Sequence, residues 1–164
     1  MNNPGQTIPK AEHEMNNAPM AVVLAAGKGT RMKSELPKVL FPVLGRAMIH
    51  WVLDALAAAG IQRTVVVIGY RGNDVRDELA GRKGVSFAVQ AQQLGTGHAV
   101  EVCRPQLQSH EGAVLVVAGD SPLIQASSVG KLLDRFQAEN WSCLLDADER
   151  RSLGPRAYRT LCHG

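Results

Sequence analysis

Residues 24–38, LAAGKGTRMKSELPK, gather two glycines, four basic residues and one acidic residue directly behind an apolar run. Glycines let a backbone turn with several N–H groups pointing inward, and cations placed after such a concavity suit the oxygens of a triphosphate. A second stretch, QAQQLGTGHAV at 90–100, puts Gln90 shortly before Gly95 and Thr96. An amide side chain both donates and accepts, which suits reading the edge of a pyrimidine, while Gly95 permits close backbone approach. A third stretch, VVAGDSPLI at 116–124, places Asp120 at the carboxyl end of an apolar run that Pro122 stops. A hard oxygen ligand beside a triphosphate suits Mg²⁺, which takes one or two carboxylates and fills its shell with phosphate oxygens and water.

Such groups need a frame that brings them together. MAVVLAA, TVVVIGY, VSFAV and AVLVVAGD read as four strands, and continuous β-branched runs mean burial on both faces, as in a parallel sheet. Helical patterns lie between and after them: AMIHWVLDALAAAG, stopping at Gly60, then GNDVRDELAG, GTGHAVEVCRPQL and SSVGKLLDRFQAEN. The alternation predicts an α/β, Rossmann-like fold, a mostly parallel sheet covered by helices and entered through right-handed crossovers. Ligands of such sheets bind outside the carboxyl ends of the strands, which is where all three stretches fall.

Two familiar phosphate motifs fail on the basic loop. A Walker A sequence needs Gly where Val22 stands and Ser or Thr where Gly29 stands; a dinucleotide fingerprint needs Gly or Ala where Met32 stands. Plainer readings compete throughout: a solvated basic turn, Thr96 and Gly97 as a helix cap, Asp120 as a turn former. His98 reads as a packing or capping residue, and Asp54, Asp74, Asp77 and Glu78 as solvated helix faces. Lys38 is expected to stand unpaired in an empty site.

LAAGKGTRMKSELPK nevertheless resembles the L-x-x-G-x-G-T-R-(M/L) … P-K signature of the sugar-phosphate nucleotidyltransferases, and QAQQLGTGHAV matches the second signature of its uridyltransferase branch, which makes UDP-N-acetylglucosamine. The resemblance implies the nucleotide-diphospho-sugar transferase fold, with UTP and a sugar 1-phosphate as partners and Mg²⁺ as cofactor. Leu24, Ala25, Ala26, Gly27, Gly29 and Thr30 would wrap base and triphosphate, and Gln90, Gly95 and Thr96 would meet the uracil and the start of the sugar site. Arg31 would act on the phosphates to be released, Lys38 at the reacting phosphate, and Asp120 on the metal. No protein nucleophile is required. Alternatives are a nucleotide-binding fragment impaired in turnover, and a transferase for another sugar phosphate or a cofactor precursor.

The resemblance runs from Ala21 to about Leu133. Residues 1–18 are expected to be a disordered segment too poor in apolar side chains to offset ordering, 19–140 the domain holding the donor-nucleotide half, and 141–164 a polar, basic, irregular tail. The fold is therefore expected to be incomplete at its C-terminus, with an open sheet edge that allows self-association. A net charge of +3 is too mild to argue for nucleic acid or a membrane surface, and no run approaches the ~20 apolar residues of a membrane span. Three dispersed cysteines suggest neither a disulfide framework nor a zinc site, which makes a reducing cytoplasm the expected location.

Overall fold

A computed structural model describes residues 17–29, 34–138, 143–147 and 158–163. In chain order these form β1 (Met20–Ala25), a 3-10 turn (Lys38–Leu40), β2 (Pro42–Val43), β3 (Arg46–Ala47), α1 (Met48–Ala58), β4 (Arg63–Ile68), α2 (Gly72–Glu78) and β5 (Val85–Val89). There follow α3 (Thr96–Glu101), α4 (Arg104–Leu107), β6 (Ala113–Ala118), α5 (Ala126–Ala138), β7 (Cys143–Ala147) and β8 (Tyr158–His163). The expected disordered segment lies outside the described residues except for Asn17 and Ala18.

The four expected strands form one sheet in the order β5-β4-β1-β6, all parallel, with β1 at the centre. Alternate residues serve opposite faces, as the period of a strand demands. Ala21, Val23 and Ala25 of β1, with Val66 and Ile68 of β4, join a core containing Ile49, Val52 and Leu56 of α1 and Val129 and Phe136 of α5. Met20 and Val22, with Val65 and Val67, join a second core beneath Ala99 and Cys103. Each fully buried Val or Leu of this kind contributes about 1.5–3 kcal/mol.

Gly60 ends α1 as expected. Its φ of 88° is left-handed, its N–H donates to Ala57 O at 3.0 Å, and the N–H of buried Ile61 donates to Leu56 O at 3.0 Å. The expected single helix over GTGHAVEVCRPQL is instead two, α3 and α4. Pro105 has no N–H to offer the Glu101 carbonyl, so the chain turns at Val102 and Cys103 and starts again. A hairpin went unread: Leu44 and Gly45, at φ 53° and 78°, close the two-residue loop between β2 and β3. Trp51 Nε1 donates to Val43 O at 3.0 Å and fastens that hairpin to α1.

The segment expected to be irregular contains β7 and β8. β8 runs antiparallel beside β6, with Leu161 opposite Leu115, and β7 runs antiparallel beside β8. A ladder is made by backbone groups, so it forms here although the side chains show no period of two. β8 thus covers the edge of β6, and β7 ends the sheet on that side among the described residues.

Two of the acidic residues read as solvated belong to a surface network. The Asp54 carboxylate takes Arg46 and Arg82, each at 2.5 Å, and His50 sits between Glu78 at 2.8 Å and Arg82 at 3.3 Å. Partial burial pushes the Asp54 carboxyl up, but the hydrogen bonds and charges of the two arginines outweigh it and hold it below its ordinary value of 3.8.

At the amino end of β6, His110 is 3% exposed; its ring lies 3.4 Å from Ala113 O through Nε2, and Nδ1 has no partner among the described residues. Burial, and then the charge of Arg63, lower its pKa from 6.5, while the Ala113 contact opposes the shift. The folded state therefore binds the proton less readily than the unfolded chain, and stability present above pH 6.5 is lost as pH falls toward the lower folded value. Replacing His110 by Met, which fills similar space and does not titrate, should flatten the drop in unfolding temperature between pH 7 and about pH 5. An unchanged drop in a scanning-calorimetry series would contradict this role.

Candidate active site

The parallel strands deliver their following loops to one edge of the sheet, and ladder-like bonds continue past the strand ends. Gln90 N–H donates to Ile68 O at 2.8 Å, Gly119 N–H to Leu24 O at 2.9 Å, and Tyr70 N–H to Ala26 O at 3.4 Å. The loops are therefore extensions of the sheet where they leave it. Between them lies a pocket of about 390 Å³. Its walls come from β1 and the glycine-rich loop (Leu24, Ala26, Gly27), the 3-10 turn (Lys38), the β5–α3 loop (Gln90, Gly95, Thr96) and the loop after β6 (Asp120).

All three chemistry-bearing stretches thus meet in one cavity. Of the described candidate residues, Ala25 and Gly29 do not line it: Ala25 is 1% exposed and belongs to the core beneath α1, and Gly29 packs against Lys38 beside the pocket. Thr30 and Arg31 lie outside the described residues.

Gly29 has φ +61°, and a Cβ there would stand 3.0 Å from Lys38 Cβ, so backbone conformation and proximity both require glycine. A Cβ on Gly27 would meet no atom within 4 Å; the space beside it opens onto the pocket that Gly27 lines. Gly95, at φ 100° and ψ −177°, occupies backbone space that side chains exclude, and is the N-cap of α3. No side-chain bond caps that helix, so Thr96 is not serving as its cap.

Lys38 is not the unpaired cation expected. Pro37 and the following turn aim its ammonium at the Asp120 carboxylate, with which it forms an ion pair. The two side chains keep 44% and 26% of their exposure, so water screens the pair and its own stabilisation is under about 1 kcal/mol. What the pair supplies is a fixed cation and a fixed anion facing the same space. Asp120 directs its carboxylate to Lys38.

Gln90 is 4% exposed and holds the opposite wall; its Nε2 donates to Gly95 O at 3.0 Å and lies 3.1 Å from His98 Nδ1. His98 does not itself line the pocket; it sits behind Gln90, in hydrogen-bond contact with it. Gln93 was missed. Its Nε2 donates to Ala26 O at 2.6 Å and ties the β5–α3 loop to the glycine-rich loop. It lies inside the stretch already quoted, but sequence gives no sign of which of three neighbouring glutamines spans the gap.

Gly69 was missed as well: a Cβ there would lie 2.9 Å from Ala26 Cβ and 3.1 Å from Gln90 O, so the corner after β4 admits no side chain. That corner backs the basic loop. Lys28 sits 5.0 Å from the centre of the Tyr70 ring, and Arg71 donates to Glu35 O at 3.3 Å while pairing with Asp74 at 2.6 Å.

Among the described residues no cluster of three or more His, Cys, Asp or Glu could hold a metal by itself. Asp120 is the carboxylate that lines the pocket, so an ion held there would need further oxygens brought by a ligand.

The chain resembles known proteins along most of its length. It is 50% identical over 119 residues to the bifunctional protein GlmU of Exiguobacterium sp. (strain ATCC BAA-1283 / AT1b), covering 73% of this chain and 26% of that protein. Against GlmU of Cyanothece sp. (strain PCC 7425 / ATCC 29141) the identity is 43% over 143 residues, or 87% of this chain and 31% of the relative. The chain thus spans between about a quarter and a third of the length of these relatives. In fold it resembles Rv0371c of Mycobacterium tuberculosis H37Rv, at a TM-score of 0.68 and 18% identity over 90% of this chain and 72% of that one. That protein has also been solved in complex with manganese. The family model for the MobA-like NTP transferase domain matches residues 21–163, well past Leu133 where the resemblance read from the motifs fades. By that match, the chain is a member of the MobA-like NTP transferase domain family.

Proposed function

We propose that the chain acts as the donor-nucleotide part of a uridyltransferase that moves UMP from UTP to N-acetylglucosamine 1-phosphate, giving UDP-N-acetylglucosamine and pyrophosphate. The observation that carries this reading is the convergence of the glycine-rich loop, the Gln90–Thr96 loop and the Lys38–Asp120 pair on one pocket. Identity of 43–50% to GlmU proteins supports the choice of reaction.

In this reading a phosphate oxygen of the sugar 1-phosphate attacks the α-phosphorus of UTP, the bond to the β-phosphate oxygen breaks, and pyrophosphate leaves with the electron pair. Leu24, Ala26, Gly27 and Gly29 let the backbone approach the nucleotide, Gln90 and Gly95 face the uracil, and Thr96 faces the start of the sugar site. Lys38 leaves Asp120 for the α-phosphate and neutralises charge as it develops there. Arg31 acts on the departing phosphates. Asp120, released from Lys38, would hold Mg²⁺ together with phosphate oxygens, and the bound ion would supply Lewis-acid polarisation of the reacting phosphate. The remainder is alignment: a nucleophile held in line removes several kcal/mol of the barrier. No helix among the described residues is long and apolar enough to cross a membrane, and the reading places the reaction in the cytoplasm.

The direct test is pyrophosphate release from UTP in the presence of N-acetylglucosamine 1-phosphate and Mg²⁺, beside calorimetric titration with UTP alone. Binding without release would reduce the reading to a nucleotide-binding fragment; neither binding nor release would end it.

Lys38→Ala should lower turnover by about 10²- to 10³-fold while changing stability by less than about 1 kcal/mol, because the side-chain interaction it loses among the described residues is a screened ion pair. Equal damage to turnover and to the unfolding midpoint would show Lys38 to be a structural residue. Asp120→Asn should remove the part of UTP affinity that depends on added Mg²⁺ and leave the metal-free part nearly intact. If titrations with and without Mg²⁺ still differ as in the unsubstituted chain, the metal is held elsewhere.

A further inference from the structure

The two hydrogen bonds at Gln90 also fix which way its amide is turned. Gly95 O can only accept, so the amide atom 3.0 Å from it is the nitrogen. That nitrogen has two hydrogens, one for Gly95 O and one directed at His98 Nδ1, 3.1 Å away. His98 Nδ1 must then accept, which puts the imidazole proton on Nε2. Both donor hydrogens of the amide are consumed by the protein, and the carbonyl oxygen Oε1 is the amide atom left to a ligand in the pocket that Gln90 lines.

We propose that His98 is a specificity-determining positioning residue: by accepting from Gln90 Nε2 it locks the amide so that the pocket presents an acceptor, which selects a pyrimidine carrying N–H at ring position 3 over one with a bare nitrogen there. The proposal deepens the uridyltransferase reading and rests on it. A uracil N3–H donates to Oε1. A cytosine N3 lone pair would face the Oε1 lone pairs, and relieving that repulsion would require turning the amide, which sets its oxygen against Gly95 O and leaves His98 Nδ1 without a donor unless the imidazole proton also leaves Nε2 for Nδ1. In a side chain that is 4% exposed, neither loss is made good by water. Gly95 holds the same amide from the other side, so His98 adds to the lock rather than creating it alone.

The test is calorimetric titration of the full 164-residue chain with UTP and with CTP, each with Mg²⁺, for the unsubstituted protein, His98→Leu and His98→Asn. Leu removes the acceptor at similar bulk; Asn restores one through Oδ1 near the place of Nδ1. The unsubstituted chain should prefer UTP, His98→Leu should lose about tenfold of that preference, as for one hydrogen bond, and His98→Asn should regain most of it. A ¹⁵N–¹H correlation spectrum of the nucleotide-free chain should show the His98 proton on Nε2. A UTP preference that survives unchanged in His98→Leu, or a proton on Nδ1, would overturn the role of His98 alone. Equal affinity of the unsubstituted chain for UTP and CTP would overturn the uridine reading and this inference with it. Should His98→Leu fail to fold, the Asn variant and the spectrum still decide.

Discussion

Four strands running in one direction are the constraint on which everything else rests. Because β5, β4, β1 and β6 are parallel, every connection must return over a face of the sheet, and every loop that follows a strand emerges at the same edge. The β-branched runs make this arrangement stable only if both faces are covered, and the alternation of β1 and β4 between two cores meets that demand. Chemistry scattered over almost a hundred positions of sequence is thereby gathered around one pocket. Hydrogen bonds that continue the sheet past its strands, at Ala26, Gln90 and Gly119, limit how far those loops can drift.

Within the pocket, polar groups are set against one another before any ligand arrives. Lys38 and Asp120 neutralise each other across the opening, Gln90 is turned by Gly95 and His98, and Gln93 joins two loops that are 67 residues apart. Each arrangement lowers what a ligand must reorganise on binding. The ion pair is the exception in kind, since both of its members must exchange partners for a phosphate and a cation to be held. Its weakness in water is compatible with that exchange, and a deeply buried pair would resist it.

Much of this was legible from sequence for identifiable reasons. Continuous Val and Ile runs specify buried parallel strands, and Gly60 and Gly95 occupy the backbone positions that only glycine fills easily. Asp120 could be placed because a carboxylate after an apolar run must lie at a strand's carboxyl end. What escaped depends on contacts between segments distant in sequence: Gly69 against Ala26, Gln93 to the Ala26 carbonyl, and Lys38 with Asp120. The Leu44–Gly45 hairpin escaped because leucine gives no sign of a left-handed residue, and β7 and β8 because backbone pairing supplies what their side-chain pattern lacks. The break at Pro105 follows from its missing N–H, although the helical pattern is strong on both sides of it.

The central claim is that three separate segments form one nucleotide site. Amide hydrogen exchange measured with and without UTP and Mg²⁺ tests it most directly, because each segment reports for itself. Slowed exchange appearing together in residues 24–29, 90–97 and 118–120, with the surface network around Asp54 and His50 unchanged, is the predicted result. Protection confined to one of the three segments, or found only at that surface network, would contradict the account.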